Sequence, residues 1–334
     1  MIPFDYQRAP DALSAVRAVV GNPKARFLAG GTNLVDHLKL GIVEPELLVD
    51  VSGLPLDRVE QRPDGSVRIG ATVRNSDLAA HPLIRRNYPM LSEALLAGAS
   101  GQLRNMATTG GNLLQRTRCV YFQDVSTPCN KRDPGSGCSA LGGYSRDNAI
   151  FGASRDCVAV HPSDMAVAMA ALDATVIVQG AAGERGIPIA EFHRLPGDSP
   201  QRDTNLDHGE LITAIDLPSA GASARSAYRK VRDRASYAFA LVSVAVVVEL
   251  EDSAEAPVVQ NIRIALGGVS HKPWRARQAE ETLRGRPATE EEFRAAADTE
   301  LRLAEPLEGN EFKLPMVRNA MVSVLRALTE GSGR

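Results

Sequence analysis

Arg26-Phe27-Leu28-Ala29-Gly30-Gly31-Thr32-Asn33-Leu34 is an apolar strand signal that runs without a break into two glycines and two side chains able to hydrogen-bond. Leu47 to Val51 reads as a second short strand, with one or two helical turns, Asp36 to Leu40, between them. Upstream, Asp11 precedes Ala12, Leu13, Ala15, Val16, Val19 and Val20, an N-cap followed by an apolar stripe at helical spacing that Gly21 closes. Glycines between a strand and a helix present backbone N–H groups at a helix start, where an anion is favoured. The chain therefore opens as an α+β unit around a turn suited to a phosphate-bearing ligand.

Thr109-Gly110-Gly111-Asn112 repeats the device further along. A pyrophosphate needs closely approaching N–H donors, and a side chain at the contact position would block that approach. Neither copy fits the Gly-x-Gly-x-x-Gly fingerprint or the P-loop. Either alone reads as a tight turn. The pair, each with Thr and Asn beside the glycines, points to one shared anionic ligand, with Thr32 and Asn33 as side-chain donors.

A length of 334 residues suggests two or three packed units, and 44% hydrophobic with 23% charged residues is ordinary globular composition. The net charge of -2 leaves no nucleic-acid footprint, and the most basic stretch, Tyr228 to Arg234, is too short for a patch. No run approaches the ~20 apolar residues of a membrane span. Met1 to Tyr6 has neither a basic nor an apolar leader region, so no signal peptide is expected. The compartment is then the cytoplasm, or the periplasm by co-export with a signal-bearing partner.

Further strands are expected at Val67–Val73, Thr175–Gln179 and Leu211–Leu217, and helices at Leu91–Ala99 and Met165–Leu172. Ala240 to Leu250 reads as a long strand with Asn261 to Leu266 as its antiparallel neighbour. Helices at Ala276–Leu283, Glu290–Ala304 and Pro315–Leu328 finish the chain. A boundary is expected near residue 222, in the Ser/Ala/Gly-rich stretch from Pro218 to Ser226.

Thr117 to Arg155 has no periodicity, and a loop this long inside a compact domain is either disordered or organised by something other than a hydrophobic core. All the cysteines of the chain gather there or just beyond: Cys119, Cys129, Cys138 and Cys157. Their intervening counts of 9, 8 and 18 contain no Cys-x-x-Cys knuckle of the kind zinc usually takes. Iron–sulfur clusters accept four thiolates at irregular spacing, and disulfides would suit an oxidising compartment.

Taken together, Ala29 to Leu34, Ala107 to Leu113, His161-Pro162-Ser163-Asp164 and Tyr228-Arg229-Lys230 through Arg234 resemble the FAD-binding subunit of the xanthine dehydrogenase and aldehyde oxidoreductase family. The resemblance spans essentially the whole chain. It is closer still from Gly98 to Asn105 and from Asn112 to Cys119, which look like the medium subunit of bacterial periplasmic-type aldehyde oxidoreductases.

The resemblance implies an α+β fold: an FAD-binding domain of the vanillyl-alcohol-oxidase/PCMH type over residues 1–222, then a small antiparallel-sheet-plus-helices domain over 223–334. The first would comprise two α+β subdomains, about 1–55 and 56–222, with the iron–sulfur loop at 117–157. Leu28, Ala29, Gly30, Gly31, Thr32, Asn33 and Leu34 would hold the FAD pyrophosphate, completed by Thr108, Thr109, Gly110, Gly111 and Asn112. Ser163 and Asp164 would lie near the flavin and its hydroxyls, and Lys230 and Arg234 near the isoalloxazine.

The 48 residues between Asn112 and His161 are where the chain departs from most of the family. An insertion with a [4Fe–4S] cluster is known in the flavin subunits of the periplasmic-type enzymes, so Cys119, Cys129, Cys138 and Cys157 would be its ligands. The implied partners are a subunit with two [2Fe–2S] clusters and one with the molybdenum cofactor. The implied activity is oxidoreductase electron transfer to an external acceptor, with no substrate-oxidising residue in this chain. A zinc-stapled assembly module and a stand-alone FAD oxidase are the rival readings.

Overall fold

The computed structural model describes residues 1–221, 224–253 and 256–330; the boundary expected near residue 222 falls at 222 and 223, outside the described residues. The first unit is a parallel sheet of β1 (Asp5–Arg8), β2 (Ala25–Leu28) and β3 (Leu47–Asp50), in the order β1-β3-β2. Asp11 caps the helix Ala12–Val20 by accepting from Ser14 N, as its position predicts. That helix buries Ala15, Val16 and Val19 against the sheet.

The second unit is an antiparallel sheet of β4 (Val59–Gln61), β5 (Val67–Gly70), β6 (Thr175–Gly180), β7 (Gly183–Pro188) and β8 (Leu211–Leu217), ordered β4-β5-β8-β6-β7. The helix Asp164–Ala171 runs through its core with every residue buried, which its nearly continuous apolar sequence requires.

The third sheet holds β9 (Arg225–Val231), β10 (Val242–Glu251), β11 (Val258–Gly267) and the short β12 (Trp274–Arg275), all antiparallel in the order β12-β11-β10-β9. The helices Arg277–Leu283, Glu290–Leu301 and Lys313–Glu330 belong to this part of the chain. β10 is apolar on both faces. Val242, Val244, Val246 and Val248 enter one core while Ala245 and Val247 enter the other.

The strands β1, β4, β7 and β12 lie outside the sequence expectation, and two further segments differ from their reading. The basic stretch from Tyr228 is an edge strand, β9, whose Arg and Lys side chains mask the alternation. The segment Thr109–Leu113 is a short helix rather than a free turn. The cysteine-bearing region stays irregular, as expected, apart from the single turn Val120–Gln123.

Candidate functional site

The first glycine turn connects β2 to the helix Leu34–Lys39. Gly31 has φ +71, a conformation only glycine adopts without strain. At Gly30 an added Cβ would lie 2.0 Å from the Met106 carbonyl oxygen, so the bare backbone lets residues 106–107 approach the turn. Among the described residues, the N–H groups of Gly30, Gly31, Thr32, Asn33 and Leu34 donate to no protein acceptor. Five free donors at a helix start are the kind of arrangement at which an anion is favoured.

The second glycine pair works differently. Thr109 N donates to Val73 O (2.9 Å), Gly110 N to Ala71 O (2.8 Å) and Asn112 N to Thr108 O (2.8 Å). Gly111 N is capped by Thr108 Oγ1 at 3.3 Å. These donors are engaged within the protein, and Gly110 serves close packing, its absent Cβ lying 3.2 Å from Ala71 Cβ. The pair is therefore a packed helix start beside the cradle, not a second copy of it.

Two cavities meet at these turns. One of about 590 Å³ is bordered by Ala29, Gly30, Gly31, Leu34, Thr108, Gly110, Arg116, His193 and Asp203. The other, of about 360 Å³, is bordered by Asp36, Gly98, Asn112, Arg118, Asp164, Lys230, Arg234, Tyr237 and Phe239. Thr32, Asn33, Gly111 and Gln115 border both, so a long ligand can lie across the cradle with one end in each. Leu28 and the fully buried Thr109 border neither. Ser163 instead caps the helix Asp164–Ala171, accepting from Ala166 N, and donates to Asn112 Oδ1 at 2.6 Å.

Several of the anticipated site side chains have partners within the protein. Asn33 is not a free donor: its Oδ1 accepts from Arg116 N (2.9 Å), and its Nδ2 lies 3.2 Å from His37 Nε2. Burial, then the nearby Arg116 and Arg118, lowers His37 to about 4. Lys230 is paired with Asp164 at 2.8 Å and donates to Ala97 O, while Tyr228 OH donates to the same carboxylate at 2.5 Å. Desolvation, reinforced by Asp164, raises the Tyr228 hydroxyl well above its usual range. Arg234 is exposed and donates to Tyr237 O.

Arg118 lies in the stretch from Asn112 to Cys119 that carries the resemblance, but it was not among the anticipated site residues. Its guanidinium donates to Arg116 O (2.6 Å), sits 5.2 Å from the Phe239 ring centroid, and is lowered by desolvation. No described carboxylate lies within ion-pair distance of it. A half-buried cation bordering a cavity without a counter-ion suits an anionic occupant.

Cys119, Cys129, Cys138 and Cys157 come together around one small space, with Phe122 and Lys131 beside them, and all four are free thiols. Desolvation raises Cys119 and pushes Cys157 up to about 12. Among the described residues no three Cys, His, Asp or Glu side chains are grouped to hold a single metal ion. Four thiols bordering one space are soft donors of the kind that zinc and iron–sulfur centres both take. Cys119 also borders a third cavity of about 230 Å³, which shares Arg118, Asp164 and Phe239 with the 360 Å³ cavity.

A family model described as the FAD binding domain in molybdopterin dehydrogenase matches residues 2–220, and one described as the CO dehydrogenase flavoprotein C-terminal domain matches residues 226–328. The aldehyde oxidoreductase FAD-binding subunit PaoB of Escherichia coli is 51% identical over 96% of this chain and 97% of that protein. The glyceraldehyde dehydrogenase medium chain of Sulfolobus acidocaldarius is 30% identical over 85% of this chain and 82% of that protein. A solved structure of carbon monoxide dehydrogenase from Hydrogenophaga pseudoflava superposes with a TM-score of 0.75 at 26% identity, covering 98% of each chain. With free N–H donors between two joined cavities and this coverage, the chain belongs to the FAD-binding subunits of the xanthine dehydrogenase and aldehyde oxidoreductase family of oxidoreductases.

Proposed function

We propose that this chain is the FAD- and [4Fe–4S]-containing electron-transfer subunit of a heterotrimeric molybdenum-dependent aldehyde oxidoreductase. Its partners would be a [2Fe–2S] subunit and a molybdenum-cofactor subunit. Electrons taken from the aldehyde would cross the partner's clusters, pass through this chain and leave to an external acceptor. The observation that carries the reading is the placing of four converging thiols next to a cleft whose turn offers five unpartnered N–H donors. Residues 1–222 would form the FAD-binding domain and 223–334 the C-terminal flavoprotein domain.

Bound FAD supplies exchange of one or two electrons, which joins one-electron clusters to acceptors of either kind. The chain's own residues do the rest. Gly30 to Leu34 hold the diphosphate on backbone donors, and Thr32 adds its hydroxyl. Arg118 neutralises negative charge in the 360 Å³ cavity. Asp164 offers carboxylate acceptors to hydroxyls, held in place by Tyr228 and Lys230. Arg234, itself exposed, borders that cavity. Cys119, Cys129, Cys138 and Cys157 ligate the cluster, whose bonds order a loop lacking a core of its own.

Purified chain should carry yellow flavin and brown iron–sulfur colour together. Iron and acid-labile sulfide should reach roughly four per chain, as a [4Fe–4S] centre requires, and fall away in Cys129→Ser. A colourless protein with one zinc would overturn the reading. Co-purification with a molybdenum subunit separates it from a stand-alone oxidase.

A further inference from the structure

Between the cleft and the thiols lies a group of charges that the proposed function does not use. Arg116 stands on the segment leaving the second glycine pair, and its backbone N–H is held by Asn33 of the first turn. Its Nε donates to Asp203 Oδ2 at 2.6 Å, and its guanidinium lies 4.6 Å from the Phe122 ring centroid. The other oxygen of Asp203 accepts from Lys131 Nζ, which also donates to Pro200 O at 2.7 Å. Lys131 has 1% of its side chain exposed and borders the thiol space. Burial alone would raise the Asp203 carboxyl, yet Arg116 and Lys131 together hold it well below the carboxylate range.

Asp203 is therefore the only described carboxylate bonded to both sides of the division. It takes one cation from the cradle side and one from the cysteine loop, while itself bordering the 590 Å³ cavity. A second contact runs in parallel. His37, beside Asn33, meets the edge of Phe122 at 5.6 Å between ring centroids, and Phe122 borders the thiol space. The cleft and the loop thus cannot shift independently without breaking an ion pair that is hard to replace in a poorly solvated site.

We infer that Asp203 is a positioning residue that couples the two cofactor sites, so that filling the thiol site tightens flavin binding and filling the cleft tightens the cluster. This rests on the reading proposed above. Coupling of this kind is reciprocal and typically amounts to about 5- to 150-fold in affinity.

The test is FAD affinity, measured by quenching of flavin fluorescence on the full chain, in iron-loaded and iron-free forms. Wild type should bind FAD about tenfold more tightly when loaded, and Asp203→Asn should reduce that ratio to within about twofold. A residue that merely stabilised the fold would weaken both forms alike and leave the ratio at the wild-type value. That result would overturn the coupling. Because D203N leaves Lys131 buried without a counter-ion, the double variant Asp203→Asn/Lys131→Met removes both charges and should show the same flattened ratio if D203N folds poorly. Wild-type protein that takes up no iron would overturn the cluster reading itself. Iron-loaded wild type with an undiminished ratio in the variants overturns only the role of Asp203.

Discussion

The Nζ of Lys230 lies 2.8 Å from Oδ2 of Asp164, with 4% and 7% of the two side chains exposed. The cation assigned to the flavin and the carboxylate assigned to its hydroxyls are thus partners of each other. Removing one leaves the other charged and buried, at a cost of about 3–5 kcal/mol. Lys230→Met should lower the denaturation midpoint strongly, while Lys230→Met/Asp164→Leu should recover most of the loss. Chemical denaturation of the flavin-free chains measures both.

Arg118 is the converse case, a half-buried cation with no described carboxylate partner. Arg118→Met should leave the flavin-free protein at least as stable as wild type. The same change should weaken FAD retention by about tenfold or more, the equivalent of roughly 1.4 kcal/mol. Equilibrium dialysis of FAD beside a thermal melt of the apo form separates the two effects. Unchanged FAD retention would rule out an anionic occupant at this guanidinium.

Gly30→Ala places a Cβ 2.0 Å from the Met106 carbonyl oxygen, a backbone atom that cannot swing aside. The turn must then pull away from residues 106–107 and its N–H groups lose their alignment. Flavin should be lost on purification. Gly101→Ala, where an added Cβ meets nothing within 4 Å, serves as the control and should retain it.

Four desolvated histidines set a pH dependence, His37 at about 4 among them. Desolvation holds His193 at about 4 and His271 at about 3, and lowers His161 well below its ordinary value. Each folded-state value lies under the unfolded one, so the unfolded chain binds more protons in the interval between. The stability they contribute is full above about pH 6.5 and is lost as pH falls through about 4 and on towards about 3, by up to roughly 1.4 kcal/mol per pH unit for each histidine. His193→Gln should make the slope of stability against pH shallower in that window. An unchanged slope would count against a neutral buried His193.

Removing the metal should loosen the chain between residues 117 and 157, because the loop has little regular structure beyond Val120–Gln123. Limited proteolysis after iron removal should cut there first, and the loaded protein should resist. Equal cutting in both forms would mean the loop is ordered by its own hydrogen bonds.

Local signals carried much of this architecture. Asp11 and Gly21 bracket the first helix because capping is short-range chemistry, and β10 announces itself by an apolar run with no polar face. The first glycine turn was legible for the same reason. The second misled because identical residues can turn their N–H groups inward, and that choice is made by Ala71 and Val73, far away in sequence. The pairing of Lys230 with Asp164 was not legible because the two lie 66 residues apart. Asp203 and Arg116, 87 residues apart, left no pattern at all, since an ion pair across a cleft has no period.

The alternating faces of β10 have a bearing on how such a protein can be dismantled. Even-numbered valines from Val242 to Val248 pack with the terminal helices, whereas Ala245 and Val247 complete the hydrophobic interior of the preceding unit. The strand is a party wall. Cutting the chain between the two family regions would strip one side of that wall and bare the interior behind it. Expressed apart, the pieces should be insoluble or sticky; expressed together, they should reassemble as a split protein. Recombining halves from different relatives would then succeed only where the wall-facing residues travel with the unit they seal.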